Sequence, residues 1–432
     1  MTPSSAWREI LVANGLTARM GRREPALGRI AAALIYGGVY LKDVIGLWAP
    51  PVFPPLAAIL LLGLGALCAI AVLLLREPER ATRTEGAGIL LVSVFAYVIS
   101  SSLTLIPNTS SYYIAPLLAY LLINTAPRTF FTLIVIHLIV SLGIQMAEYL
   151  TDSYLFAVQS RDGLVIDEVL TGGELGIMRA KGLFPGPLNA VAFAAWLAFL
   201  YRGRSLFAGL MLLSAFLASG RLGIVVATIL LLLRLVNSNA DANSRGRFLG
   251  VAVIVALLGA FIAHADATWL AFFSYAFDQD SSQNLARIHF WLSSIKHFLN
   301  YDWLYMLFGD FGFILGEQGG TESDFLRILL DNGVVGFLIY IAGLVLVLRA
   351  AMLQRSMEAF ITLILIVGMM NIFPFIQSLN STLLFWMFVF IRARVLTEYG
   401  RRGVVARRSS LARGRQYAEH VPTAPRSQLR DT

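Results

Sequence analysis

The chain runs to 432 residues, 57% of them hydrophobic and only 14% charged, against about 25% charged in a soluble globular domain, which excludes a soluble fold and predicts an all-α polytopic membrane protein. Its one cysteine, Cys68, lies in an apolar run, so neither a disulfide framework nor a cysteine cluster is available. The net charge of +8 does not imply nucleic acid, because about ten of the 34 basic residues follow Phe390 and many others flank apolar runs, as membrane topology requires.

Residues 1–29 are read as a cytoplasmic segment. Arg8, Glu9, Arg19, Arg22, Arg23 and Glu24 interrupt it before any long apolar core, so no cleavable signal peptide is expected and the first span serves as an uncleaved anchor. Trp7 to Met20 forms either a short helix on the membrane surface or a disordered tail. A helix crossing the roughly 30 Å apolar slab needs about 20 residues, and that ruler gives about twelve crossings within 30–392. Their predicted extents are 30–49, 53–75, 87–106, 111–126, 129–150, 185–201, 205–219, 221–236, 248–264, 333–349, 357–374 and 378–392.

Lys and Arg fall on one side of this arrangement: Arg8 to Arg29, Arg76 to Arg83, Arg128, Arg202 with Arg204, Arg234 to Arg247, Arg349 with Arg355, and the tail from Arg392. The positive-inside rule makes that side cytoplasmic and both termini internal. Two large loops on the opposite, outer side follow, near 151–184 and 265–332. At 1.5 Å per residue the run from Leu206 to Val236 would make a single helix of about 46 Å, so Ser219-Gly220 is expected to divide it into two short spans. Arg221 then sits at or just below the outer surface, where it needs an anion or a carbonyl cage. No internal repeat of the kind found in many transporters is present. Residues 393–432 alternate basic residues with Gly, Ser, Ala and Pro and are read as a disordered cytoplasmic tail that touches anionic headgroups.

Polar chemistry is concentrated between Ala286 and Gly336. The stretch carries Arg287 and Trp291, then Gly309 and Gly312, then Glu322-Ser323-Asp324-Phe325-Leu326, and finally Asn332-Gly333-Val334-Val335-Gly336 opening a new span. This pattern resembles the O-antigen polymerase and ligase superfamily of bacterial envelope polysaccharide assembly, and Ser219-Gly220-Arg221-Leu222-Gly223 resembles the Ser and Arg turn that precedes a span in that family. Topology matches over most of the chain, and motif similarity covers about sixty residues. The resemblance implies glycosyl transfer on the outer face of the bacterial inner membrane, from a glycan carried on polyprenyl diphosphate to a hydroxyl acceptor. It implies no metal, no cofactor and no nucleotide sugar, with a flippase, a chain-length regulator and membrane lipids as partners. In ligases of the family the position before the Leu usually carries a His. Here Glu322-Ser323-Asp324 stands there, a departure that points to a polymerase whose acceptor is another lipid-linked repeat. The basic tail and overall size are similar to exopolysaccharide polymerases of the xanthan-polymerase kind. A ligase and a lipid-linked oligosaccharide transporter are the alternatives.

A departing diphosphate needs fixed cations, and arginine binds phosphate bidentately without losing its proton. Arg287 is the first candidate and Arg221 the second; the alternatives are a surface arginine paired with a loop carboxylate and a snorkelling interfacial arginine. In the earlier loop, Arg161 lies among carboxylates, and Arg179 with Lys181 precedes a Pro- and Gly-rich turn that holds them near the membrane surface or is a plain turn. Glu322 and Asp324 are candidate general bases. A helix starting at Thr321 would instead make Thr321 its N-cap, with Asp324 in a capping-box position. His289 is a further base candidate or a residue facing elsewhere, and Trp291 belongs to an aromatic group that stacks on sugars or forms an interfacial belt. Asp278-Gln279-Asp280 is read as a solvated loop rather than a metal site. His137, Gln145 and Glu148 are functional suspects at membrane depth or helix-to-helix hydrogen-bonding groups.

Overall fold

The computed structural model describes residues 24–41, 44, 53–75, 80–104, 111–156, 178–201, 204–236, 282–310, 323–354, 356–372, 375–376, 378–394 and 396. Its regular structure within them is helical throughout. In chain order the helices are α1 (Ala26–Tyr36), continued by a π-turn over Gly37–Leu41, α2 (Phe53–Leu75), α3 (Arg80–Thr104), α4 (Ser111–Thr125), α5 (Pro127–Thr151), α6 (Pro187–Leu200), α7 (Ser205–Leu217) and α8 (Arg221–Val236). After them come α9 (Ser282–Leu299), α10 (Trp303–Phe308), α11 (Asp324–Gln354), α12 (Met357–Ile372) and α13 (379–394).

Three of these are long and apolar enough to cross a membrane among the described residues: Ala57–Leu75 within α2, Pro127–Thr151 and Asp324–Gln354. Shorter apolar helices accompany them, including α1, α4, α6, α7 and α12. The outward side chains of α2 and α3 (Leu60, Leu64, Leu67, Leu74, Leu91, Phe95) are apolar and exposed, which is what a lipid-embedded protein presents. The predicted break at Ser219-Gly220 is present: α7 ends at Leu217, Ser219 takes a left-handed φ of 50°, and α8 starts at Arg221. The predicted span 333–349 opens where the chain breaks: within α11 the non-helical Gly333 (φ 62°, ψ −168°) separates a short helix starting at Asp324 from the one that runs to Gln354. The predicted span 248–264, Arg161, Asp278 to Asp280, Thr321, Glu322 and the tail beyond 396 lie outside the described residues.

Two helices form the centre. From Ala190 through Tyr201 and from Leu383 through Ile391 every side chain is buried, so α6 and α13 are apolar all round, as a helix enclosed by others must be. Trp196 joins them: its ring stacks on Phe375 at 4.3 Å, meets the edges of Phe385 and Phe388 at 5.7 and 6.0 Å, and its indole N–H donates to the Phe375 carbonyl at 3.3 Å. Where hydrocarbon replaces water as the competing solvent, this close packing, rather than burial itself, holds helices together.

Basic side chains tie helix ends together at one end of the bundle. Pro127 opens α5, and because Ala126 has no capping side chain, Glu24 supplies one: its carboxylate accepts from Arg128 N (2.6 Å), Thr129 N (3.2 Å) and the Thr129 hydroxyl (2.7 Å). Arg234 donates to the Arg204 carbonyl at 2.8 Å and to the Ala198 carbonyl, and lies 3.7 Å from Glu358. Arg392 donates to Gln354 at 3.2 Å and Arg394 to Asn124 at 3.0 Å. Each of these contacts joins segments that the distribution of basic residues predicts to share a face.

Candidate functional site

The polar residues of α5 fall on one stripe. His137, Ser141, Gln145 and Glu148 follow each other at i, i+4, i+8 and i+11, all buried in an otherwise apolar helix. Buried polar groups must find partners where water is absent, and here the partner is the irregular segment 178–184. Glu148 accepts from the backbone N–H of Lys181 and of Gly182, both at 2.9 Å. Gln145 donates to the Ala180 carbonyl at 3.2 Å and accepts from the Ser214 hydroxyl at 3.1 Å, while Ser141 accepts from Leu183 N at 3.2 Å. Gly182 is required at this crossing, since its φ is +61° and a Cβ there would strike the hydroxyl and carbonyl oxygens of Ser141. At the apolar end of the stripe, His137 Nδ1 lies 3.0 Å from the Tyr36 hydroxyl, with Tyr40, Phe184 and Phe193 around the ring.

The same segment is laced to the α7–α8 turn. Ala180 N donates to the Leu217 carbonyl at 3.0 Å, the Ser219 hydroxyl to the Met178 carbonyl at 3.2 Å, and Arg179 Nε to the Ala218 carbonyl at 3.5 Å. The half-buried Arg221 begins the helix immediately after that turn. Lys181 is fully buried, and its ammonium acts electrostatically on the Glu148 carboxylate. Arg179 is thereby tied to the turn that Arg221 follows at the N-terminus of α8, whose dipole favours negative charge, while Lys181 is buried against Glu148.

A second polar group surrounds the start of α11. Ser323 is the residue before the helix, and its hydroxyl accepts from Leu326 N at 3.5 Å; it takes the capping place that the sequence suggests for Thr321. Asp324 is buried, and one carboxylate oxygen accepts from both Phe375 N (2.9 Å) and Ile376 N (2.8 Å), fixing the turn that leads into α13. One turn later Arg327 Nε donates to the buried Asp331 carboxylate at 3.3 Å. The Tyr113 hydroxyl donates to the Asn332 carbonyl at 2.8 Å, and Asp310 N to the Leu330 carbonyl at 2.9 Å. Burial, with the Asp310 and Asp331 charges nearby, pushes the Tyr301 phenol up, so it stays a protonated donor at neutral pH.

No protein-family model matches the chain, and no curated protein matches it.

Of the residues singled out in the sequence, Arg179 and Arg221 lie at the α7–α8 turn, Lys181 is buried against Glu148, and Asp324 belongs to the second group. Arg287 lies in the second turn of α9, with its side chain outside the described part. On the same helix His289 is exposed, while Trp291 is half-buried with its indole N–H enclosed. α9 packs on α11. Among the described residues no cluster of three His, Cys, Asp or Glu is placed to hold a metal ion. The residues that sequence reading missed are Asp310, Arg327 and Asp331. Arg327 and Asp331 carry an i, i+4 signal visible in the chain, whereas Asp310 has none.

Proposed function

We propose that this protein is an envelope or secreted polysaccharide polymerase of the bacterial inner membrane, with about twelve crossings and both termini cytoplasmic. It extends a glycan by transfer from one polyprenyl-diphosphate-linked oligosaccharide to a hydroxyl of another on the periplasmic face, with inversion and without metal. The observation that carries this reading is the placement of Arg179 and Arg221 at the Ala218-Ser219-Gly220 turn at the start of α8. Fixed guanidinium groups at a helix N-terminus are what a departing diphosphate requires, because negative charge grows there as the glycosidic bond breaks. Arg287 adds a further cation from α9, and Glu322 or Asp324 takes the acceptor's proton. Arg161, His289 and Trp291 bind the sugar or phosphate part of the substrate. The sidedness is supported by the basic end of the bundle, where Glu24, Arg128, Arg204, Arg234, Gln354, Arg392 and Arg394 meet.

The test is reconstitution of the purified protein with lipid-linked repeat units and no other enzyme. A ladder of products differing by one repeat supports the polymerase. Units that stay single until a lipid-core acceptor is added indicate a ligase, and units that change leaflet without growing indicate a transporter; either result overturns the reading.

A further inference from the structure

Helix α9 presents an exposed apolar stripe that no described residue covers. Ile288, Leu292, Ile295 and Leu299 follow at i, i+4, i+7 and i+11, and they are 49, 60, 44 and 66% exposed. At 1.5 Å per residue the stripe is about 16 Å long. The side adjoining the stripe is seated: Ser294 is buried, Trp291 and Phe298 are half-buried, and α9 packs on α11, while Phe290 on the far side is also exposed. The exposed side is therefore a free face of a docked helix and not one side of a detached one.

Charge indicates what covers it. The 18 residues Ser282–Leu299 contain no Asp or Glu, and their charged or titratable residues are Arg287, His289, Lys296 and His297. Two of these, His289 and Lys296, are exposed and border the stripe on one flank. Beyond Leu299 the chain turns at Asn300 and Tyr301 and, after the exposed Asp302, presents Trp303, which is also exposed, at the start of α10. An apolar stripe, a helix whose fixed charges are Arg287 and Lys296, and an exposed tryptophan at the end are the composition of a helix lying in a headgroup layer, where the stripe enters the acyl boundary and Lys296 reaches phosphates.

We propose that α9 is an interfacial helix that docks on an anionic phospholipid leaflet through Ile288, Leu292, Ile295 and Leu299, with Lys296 and His289 at the phosphate level. The inference needs only that the protein is embedded in a membrane. It stands or falls separately from the polymerase reading, since it is tested without substrate. Docking fixes the height of the α9 backbone against the membrane, and with it the height of the helix that carries Arg287.

The test uses the full chain with Cys68→Ala in nanodiscs containing phosphatidylglycerol, and a single bimane label at Leu292→Cys, Leu299→Cys or His289→Cys. All three positions are exposed, so labelling leaves the packed side of α9 intact; monodisperse elution and an unchanged melting temperature verify the fold. Brominated lipid should quench Leu292→Cys and Leu299→Cys about threefold more than His289→Cys, with iodide showing the reverse order, as expected for a stripe at the acyl boundary. Adding Lys296→Glu should reduce the lipid quenching at Leu292→Cys about twofold, because it turns an attractive border charge into a repulsive one. Iodide quenching at Leu292→Cys equal to that at His289→Cys would place the stripe in water. Protection from both quenchers would mean that protein covers it, and either outcome overturns the proposal.

Discussion

Gly309 and Gly333 face each other backbone to backbone. A Cβ on Gly309 would run into the Asp331-Asn332 peptide, and one on Gly333 into the Leu307-Phe308 peptide. Both glycines have positive φ, 83° and 62°. This crossing pins the chain after α10 against the kink of α11 and so holds Asp310 beside Leu330. Gly333→Ala or Gly309→Ala should each cost about 3 kcal/mol or more, combining backbone strain with a steric clash that cannot relax through a side chain. Thermal unfolding in detergent, followed by tryptophan fluorescence, measures this; a melting temperature equal to that of the unaltered protein would remove the crossing from the fold.

Asp324 is placed to serve the architecture as much as the reaction. Asp324→Ala strands the amides of Phe375 and Ile376 without acceptors and should lose about 2–5 kcal/mol, the cost of two unsatisfied buried donors. Asp324→Asn keeps an acceptor oxygen and should melt near the original temperature. If the asparagine variant is stable but makes no polymer, the negative charge itself is needed; if it polymerises normally, Asp324 is not the base.

The stripe on α5 holds segment 178–184 in place, so its loss should be visible to a protease. Lys181 is buried and its N–H donates to Glu148, which makes the Lys181–Gly182 bond a poor trypsin site. Glu148→Ala removes the acceptor of two backbone donors, and at about 2–4 kcal/mol of local stability it should raise cleavage at Lys181 by on the order of thirtyfold or more. Cleavage at an unchanged rate would show that Glu148 does not anchor the segment.

Removal of the candidate cations Arg287 and Arg221 tests the reaction. Arg287→Ala should lower polymer output on the order of a hundredfold or more, by analogy with the loss of one preorganised charge-stabilising donor. Arg221→Ala should act in the same direction, and Arg221→Lys should recover only part of the activity, because an ammonium cannot reproduce the bidentate fork. Full-length polymer at normal protein level in Arg287→Ala cells would end that residue's assignment.

Local signals were the ones that the chain itself made readable. The division at Ser219-Gly220 follows from a run too long for one crossing, and the amphipathic run after Ala286 is α9. The opening of a span at Gly333 was legible: Gly333 is non-helical (φ 62°, ψ −168°), and the helix that runs on to Gln354 starts there. What the chain could not show is that this break is sustained by contact with Leu307 and Phe308, more than twenty residues earlier. The same limit applies to Glu148 and Asp324. Their partners lie 33 and 51 residues away, so the sequence could mark them as polar at depth without saying what they hold. Arg179 and Arg221 could each be suspected singly; their meeting at one turn depends on side-chain to backbone bonds between segments about forty residues apart.

Enclosure of α13 sets an order of events during synthesis. The ribosome delivers residues 379–394 after every other described helix, yet these residues fill the middle of the finished bundle beside Trp196. Helices that have already entered the bilayer must leave a slot open, and the insertion machinery or lipid must occupy it until the last segment slides in. Maturation is therefore a late, single closing step, and a chain stopped short of Asn380 would remain an unsealed precursor however well its earlier helices had inserted.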